Sequence, residues 1–319
     1  MLDYQYINRL FPNKLLIVMS DNQAIRLIRI YFTISDLYES ELFYVSQRFS
    51  NNNEPEFTDQ EVMTVFLYAI NQEERFTVSQ IYKFANNYLR SWFPKLPSYV
   101  AFVKRLNRLS EAFRSLVSFL LCARMPAACR NDYSVLDSMP IITCSGKRSP
   151  RVALEITDKS YCSTKNMYYH GLKLHALAFW QKGGLPFPES FVVTKASEND
   201  LNVFKQNWAQ IEGRTFWGDK IYYDVPFFDE LTKTKNSIMY TPVKGVKGVP
   251  DVINQRDRAA NDLFSRAVSK IRQPIESLFN WLIQKTDIQR ASKVRSTKGL
   301  IVHVFGRIAA AFISLIFNY

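Results

Sequence analysis

From the start of the chain to about residue 125, apolar side chains recur every three or four positions, the period of helices that each bury one face. Ser20, Thr58 and Ser98 each stand immediately before such a run and supply the side-chain oxygen that opens a helix. The strongest of these signals is Thr58-Asp59-Gln60-Glu61. Here the threonine and a glutamate three residues later form a capping box ahead of the apolar run Val62 to Ile70. Helices are expected over 58–70, 77–91 and Ser98 to Leu109, with Ser50 to Pro55 (SNNNEP) as a loop and Trp92 and Phe93 closing a core ahead of Pro94.

At Tyr133 the period changes from helical to strand-like. YSVLDSMPII, YYHGLKLHALAFW and PESFVVTKA are rich in β-branched and aromatic residues and are separated by turns bearing Gly and Pro. A helix over Asn199 to Ile211, a strand in RTFWGDK, a helix over Phe227 to Lys235 and a strand in NSIMYTPV follow, which makes the order βββαβαβ. After the loop Val243 to Val252, a long helical region is expected over about Arg256 to Lys285. The segment Gly299 to Phe317 is almost long enough to span a membrane, but His303 and Arg307 inside it make a buried core helix the better reading. The expected fold class is therefore α/β (α+β). A helical domain over residues 1–128 precedes a mixed-sheet domain over 129–319, with Met125 to Asn131 as the passage between them and a succession similar to the RNase H-like fold.

Charge adds the first hint of a partner. With 41 Lys and Arg against 29 Asp and Glu, the formal net charge is +12, which favours a polyanion. Four cysteines without a CxxC spacing and three histidines without a ligand pattern argue against a zinc module. The first residues contain an acid and only a short apolar run, Leu15 to Met19, too short for a secretion signal, so a cytoplasmic, reducing location and no membrane partner are expected.

Three carboxylates bring chemistry into view. Asp137 sits in the middle of an apolar strand, where ionisation costs several kcal/mol unless it is compensated. Asp219 closes a strand, the end at which open sheets bind ligands, and Glu276 borders the apolar stripe Ile275, Leu278, Phe279 and Leu282. Each has a plain alternative: a turn at Asp137, a turn start at Asp219, and an ion pair of Glu276 with Arg272 one turn earlier. Together they offer the oxygen donors that Mg²⁺ or Mn²⁺ prefers. Asp200, at an expected helix start, reads as a cap.

FPKLPSYVAFVKRLNRL, VLDSMPIITC, YHGLKLHAL, TKASENDL, GDKIYYD and IRQPIESLFNWL, in this order, resemble the DDE transposases of bacterial insertion sequences, most closely the insertion sequence 982 family. The resemblance implies that Asp137, Asp219 and Glu276 are the catalytic acids, that they hold two Mg²⁺ or Mn²⁺ ions, and that the RNase H-like superfamily is the fold. It further implies cleavage of transposon ends and strand transfer into target DNA. The partners would be double-stranded DNA, both terminal inverted repeats and target, and a homodimer or higher oligomer. Around the glutamate, the related transposase signature has Tyr, Arg and Lys. Here Arg272 fits, Ser269 and Ile283 stand in the other two places, and Lys285 is a substitute for the lysine on a different helix face.

DNA contacts are expected from Lys104, Arg105 and Arg108 on the helix at Ser98 to Leu109. Lys147, Arg148 and Arg151 after the first strand, Lys173 and His175 in the second, and Arg272, Lys285, Arg290, Lys293, Arg295 and Lys298 around and after the glutamate complete the set. The alternatives are an RNase H-like nuclease that cuts without joining and a catalytically retired DNA-binding protein.

Overall fold

The computed structural model describes residues 21–49, 55–123, 129–244 and 251–316. The helix-start residue Ser20 and most of the segments 50–55, 125–131 and 243–252 lie outside them. The chain divides into two compact units, Met1–Leu106 and Asn107–Tyr319.

The described part of the first unit is helical throughout. α1 (Asp21–Leu37) runs through a π turn (Tyr38–Leu42) into α2 (Phe43–Ser46), and α3 (Asp59–Glu73), α4 (Val78–Tyr88) and α5 (Tyr99–Arg108) follow. Both halves of the expected capping box at Thr58 and Glu61 are present, and Thr77 and Gln80 form a second one at the start of α4. α3 was expected to be amphipathic. Every residue from Val62 to Ile70 is buried instead, as suits a run that is apolar all round. Its one buried acid, Asp59, is met by Arg48 at 2.6 Å, Arg105 at 3.3 Å and the Tyr38 hydroxyl at 3.0 Å. Phe93 packs edge-on against Phe57 as a core residue, whereas Trp92 is exposed.

The second unit begins with α6 (Ser110–Ala123), which packs on the helices at the end of the chain. A six-stranded sheet follows, made of β1 (Cys129–Ser145), β2 (Asp158–Cys162), β3 (Met167–Gln181), β4 (Phe187–Lys195), β5 (Thr215–Trp217) and β6 (Ile238–Tyr240). β3 lies antiparallel to β1 on one side, and on its other side pairs first with β2 and then with β4. β5 and β6 continue the sheet parallel to β1. This is the expected mixed sheet with one strand more than the sequence pattern showed, because β2 (DKSYC) is short and too polar to stand out.

Helices cover both faces of the sheet. α7 (Asp200–Asn207) and α8 (Val225–Lys235) bury Phe204, Phe228 and Leu231 with Leu136, Leu177 and Phe216 on one face. The other face receives the rest: α9 (Asp251–Arg272) and α10 (Pro274–Thr286) contact β1, and Phe312 of α12 (Arg307–Ile316) packs against Phe187, Phe191 and Trp281. The helical region expected over Arg256 to Lys285 is present, as two helices meeting at Gln273. Pro274 has no N–H to continue the ladder, but it is well suited to open a new helix.

The apolar segment near the end of the chain is α11 (Thr297–Ile301), a π turn (Val302–Gly306) and α12. The stretch Thr297–Leu315 is the one helix among the described residues long and apolar enough to cross a membrane, and 78% of its most apolar window is buried inside the protein, as a core helix requires. Its two buried polar residues, His303 and Arg307, face the end of α10. His303 donates from Nε2 to the Ile288 carbonyl at 2.8 Å, and Arg307 donates to the Thr286 carbonyl. Both satisfy acceptors that a helix C-terminus otherwise leaves open. Burial pushes the His303 pKa well below its usual value, so the ring is neutral, and lowers that of Arg307 to about 10, which leaves it charged at neutral pH.

Candidate active site

Strand register brings the first two acids together. Val135 of β1 pairs in parallel with Trp217 of β5, so that two residues further along Asp219 comes level with Asp137. Gly218 makes this approach possible, since a Cβ there would lie 2.7 Å from the ring of the fully buried Tyr222. Asp219 also caps the short 3₁₀ turn Lys220–Tyr222, accepting from the Ile221 N–H at 2.8 Å, so its turn role and its place beside Asp137 coexist.

The third acid arrives through Arg272. The last residue of α9 reaches Asp137 Oδ2 with Nη1 at 2.6 Å and Glu276 Oε1 with Nη2 at 2.8 Å, one guanidinium between two carboxylates. The ion pair of Glu276 with Arg272 expected from helical spacing is therefore present, and it extends to Asp137. Glu276 remains 51% exposed, so this end of α10 opens to solvent.

Burial pushes the Asp137 pKa up to about 6. Arg272 and the Ser138 N–H, which donates to Oδ1 at 2.8 Å, act in the opposite sense, and Asp219 and Asp200 add to the rise. The pKa of the buried Tyr222 hydroxyl is raised by burial and then by the charges of Asp200, Asp137 and Asp219 nearby.

As the side chains stand, no three His, Cys, Asp or Glu among the described residues are gathered closely enough to hold a metal ion. The guanidinium of Arg272 lies where a cation is needed. An all-oxygen donor set and an Asp137 whose ionisation is opposed by burial and by its acidic neighbours nonetheless suit hard divalent ions.

Next to the carboxylates is a groove of about 670 Å³ lined by Lys220, Ser265, Arg266, Ser269, Lys270, Arg272 and Glu276, among others. Lys220, Arg266 and Lys270 were not anticipated. The signal was available in the helical spacing of Asp262, Ser265, Arg266, Ser269 and Lys270, which puts them on one polar face of α9.

Of the expected DNA contacts, Lys147, Arg148, Arg290 and Arg295 line a second, larger groove together with Arg151. Lys285, Lys293 and Lys298 are exposed outside its lining. On α5, Lys104 is exposed, while Arg108 is half-buried and Arg105 turns inward onto Asp59. Lys173 and His175 also turn inward. Lys173 holds Asp200 at 3.0 Å, and the fully buried His175 lies 3.4 Å from the same oxygen, its pKa lowered to about 4 chiefly by burial, which leaves it no surface for DNA. Asp200 itself is not the cap expected of it. Asn199 caps α7, accepting from the Leu201 N–H at 2.9 Å, and Asp200 is a buried, paired residue of the first turn.

Residues 131–313, more than half of the chain, match the family described as transposase DDE domain. The chain belongs to this family. No curated protein and no solved structure matches it. The matched stretch takes in the sheet from the second residue after the start of β1, Asp137, Asp219 and Glu276, and nearly all of the helices that follow, whereas α1 to α6 lie outside it. Transposases of this family act on DNA and generally use divalent metal ions.

Proposed function

We propose that the chain is the transposase of a bacterial insertion sequence, most like the insertion sequence 982 family, that cuts transposon ends and joins them to target DNA. The observation that carries this reading is the approach of three acids from a strand, the turn after a second strand and a helix: Arg272 bridges Asp137 and Glu276, and Asp219 lies close enough to Asp137 to oppose its ionisation. These three side chains are the ones that would hold two Mg²⁺ or Mn²⁺ ions. When bound, such ions supply Lewis acidity for the attacking and leaving oxygens of an in-line displacement at phosphorus.

The protein's own groups do the rest. Above pH about 6 Asp137 is ionised and ready as a ligand. With ions held by the carboxylates, the Arg272 guanidinium would be available to the phosphate, and Lys220, Arg266 and Lys270 line the adjoining groove for the backbone on either side. Water attacks at the end of the element, and the 3′-hydroxyl so released attacks target DNA in the same site. The helical domain, residues 1–128, recognises the ends, the catalytic domain is 129–319, and two or more copies pair the ends in the cytoplasm.

Asp137→Asn, Asp219→Asn and Glu276→Gln remove one negative charge each at nearly constant volume. Each should lower Mg²⁺-dependent cleavage of duplex DNA by about a thousandfold or more, the several kcal/mol that metal-ion catalysis supplies. Gel shifts should show DNA binding retained. If all three variants cleave normally, the transposase mechanism fails. Supplying pre-cut ends and target DNA separates this reading from a nuclease, which yields no joined product.

A further inference from the structure

Beyond the far end of α10 is a groove of about 1150 Å³ whose lining includes Lys147, Arg148, Arg151, Lys165, Arg290 and Arg295, with Asp287 as the one acid in it. Ile142, Val152, Ile283 and Val294 also contribute to the lining. Two chain segments make its walls, and they are tied directly together. Ile142 of β1 donates to the Gln289 carbonyl at 2.8 Å and accepts from the Ala291 N–H at 2.9 Å, a parallel bridge beyond the sheet proper. β1 bulges at this point, between Ile142 and Cys144, and β3 passes so close that a Cβ on Gly171 would collide with the Ile141 carbonyl. Arg295 is held by the carbonyls of Ser292 at 3.0 Å and Val294 at 2.8 Å, and Lys165 by Gln289. Arg295 and Lys165 are thus tethered to the frame that carries the groove.

Two independent rulers place this groove relative to the acids. Asp137 and Ile142 are five residues apart on one strand, or about 17 Å at the strand rise. Glu276 and Asp287 are eleven residues apart along α10, again about 17 Å at the helix rise. Duplex DNA advances about 3.4 Å per base pair, so 17 Å along its axis corresponds to about five base pairs, half a turn. A single phosphate needs one or two cations; six spread along a groove match a repeating polyanion.

We propose that this groove binds the phosphodiester backbone of the duplex being cut, about half a turn from the scissile phosphate, which rests on the transposase reading above. Both ends of α10 then touch one DNA molecule: the carboxylates at its N-terminal end and the basic groove at its C-terminal end.

The test compares the full-length wild type with Arg148→Ala/Arg290→Ala, and with Lys182→Ala/Lys233→Ala as a control of equal charge change on exposed residues outside the groove. Binding of a 30-base-pair duplex is followed against salt. Loss of two phosphate contacts should flatten the logarithmic salt slope by about 1.8 for the groove variant and leave the control near wild type. Equal slopes in the two variants would overturn the proposal. Neutral methylphosphonates placed about five base pairs from the mapped cut should weaken binding by the wild type and leave the groove variant unaffected; an equal loss in both proteins would overturn the half-turn placement. Cleavage in Mg²⁺ is scored in parallel. A groove-dependent slope without any cleavage would sink the transposase reading and leave the groove as a DNA site, while normal cleavage with unchanged slopes would sink the groove alone.

Discussion

Asp137 and Asp200 are held very differently although both belong to the same sheet domain. Asp200 has a lysine at 3.0 Å, a serine hydroxyl at 3.0 Å and an imidazole at 3.4 Å, all supplied by neighbouring strands. Asp137 shares one guanidinium with Glu276, and Asp219 adds negative charge beside it, so two acids divide a counter-ion while a third opposes the ionisation of Asp137. A carboxylate whose role is structural is neutralised by its own chain, because an uncompensated charge in a low-dielectric site is costly. On the proposed reading, Asp137, Asp219 and Glu276 are left short of positive charge, and that deficit would favour a bound cation.

The sharpest way to break this contrast is Asp200→Asn. It leaves Lys173 part-buried without its partner, and urea unfolding should show a loss of about 3 kcal/mol. Cleavage per folded molecule should stay within a few-fold of wild type. An inactive but fully stable Asp200→Asn would reverse the two assignments, making Asp200 the catalytic acid.

A smaller effect is expected from Arg272→Met. In chelator at pH 7.5 the acids lose their only shared cation, and stability should fall by about 1 to 2 kcal/mol. Mg²⁺ should then recover more stability in the variant than in wild type, because the ions no longer compete with the guanidinium. Equal recovery by thermal melting would show that Arg272 does not occupy the place of the metal.

The same contrast can be read from a pH dependence. The folded pKa of Asp137 is raised to about 6 from an ordinary 3.8, so this group contributes stability that is complete below about pH 4 and lost as pH rises through 6. In chelator, the stability of Asp137→Asn relative to wild type should therefore rise between pH 4 and 7 and level off above it. A difference independent of pH would mean that the carboxyl titrates normally.

Much of this contrast was legible in the sequence, and the part that was not has a physical cause. Asp137 stood out because a charged residue interrupts an apolar strand, and Glu276 because it borders a helical stripe. Asp200 was seen as a cap, since sequence shows its place at a helix start but not that Lys173 and His175 lie beneath it on β3. Strand register, not chain proximity, creates that cluster. Lys173, His175 and Arg105 were expected to meet DNA for the same reason: a basic side chain reads as surface until the buried acid it serves, Asp200 or Asp59, is known. β2 and the break at Gln273 were missed where local preference was weak or overridden, in a short polar strand and at a proline whose two roles, ending one helix and opening the next, look alike in sequence.

The pins at the far end of α10 bear on the order in which the molecule assembles. His303 and Arg307 reach acceptors 15 and 21 residues away along the chain, whereas Arg272 meets Asp137 across 135 residues. Contacts of short sequence separation close with less loss of chain entropy and form sooner. The glutamate helix and the apolar helices after it therefore constitute an early, locally stabilised piece, and the seam between that piece and β1 closes late. Native-state hydrogen exchange should show α10 and α12 opening together, and a partly unfolded molecule should keep both helices long after Glu276 has parted from the strand that carries Asp137.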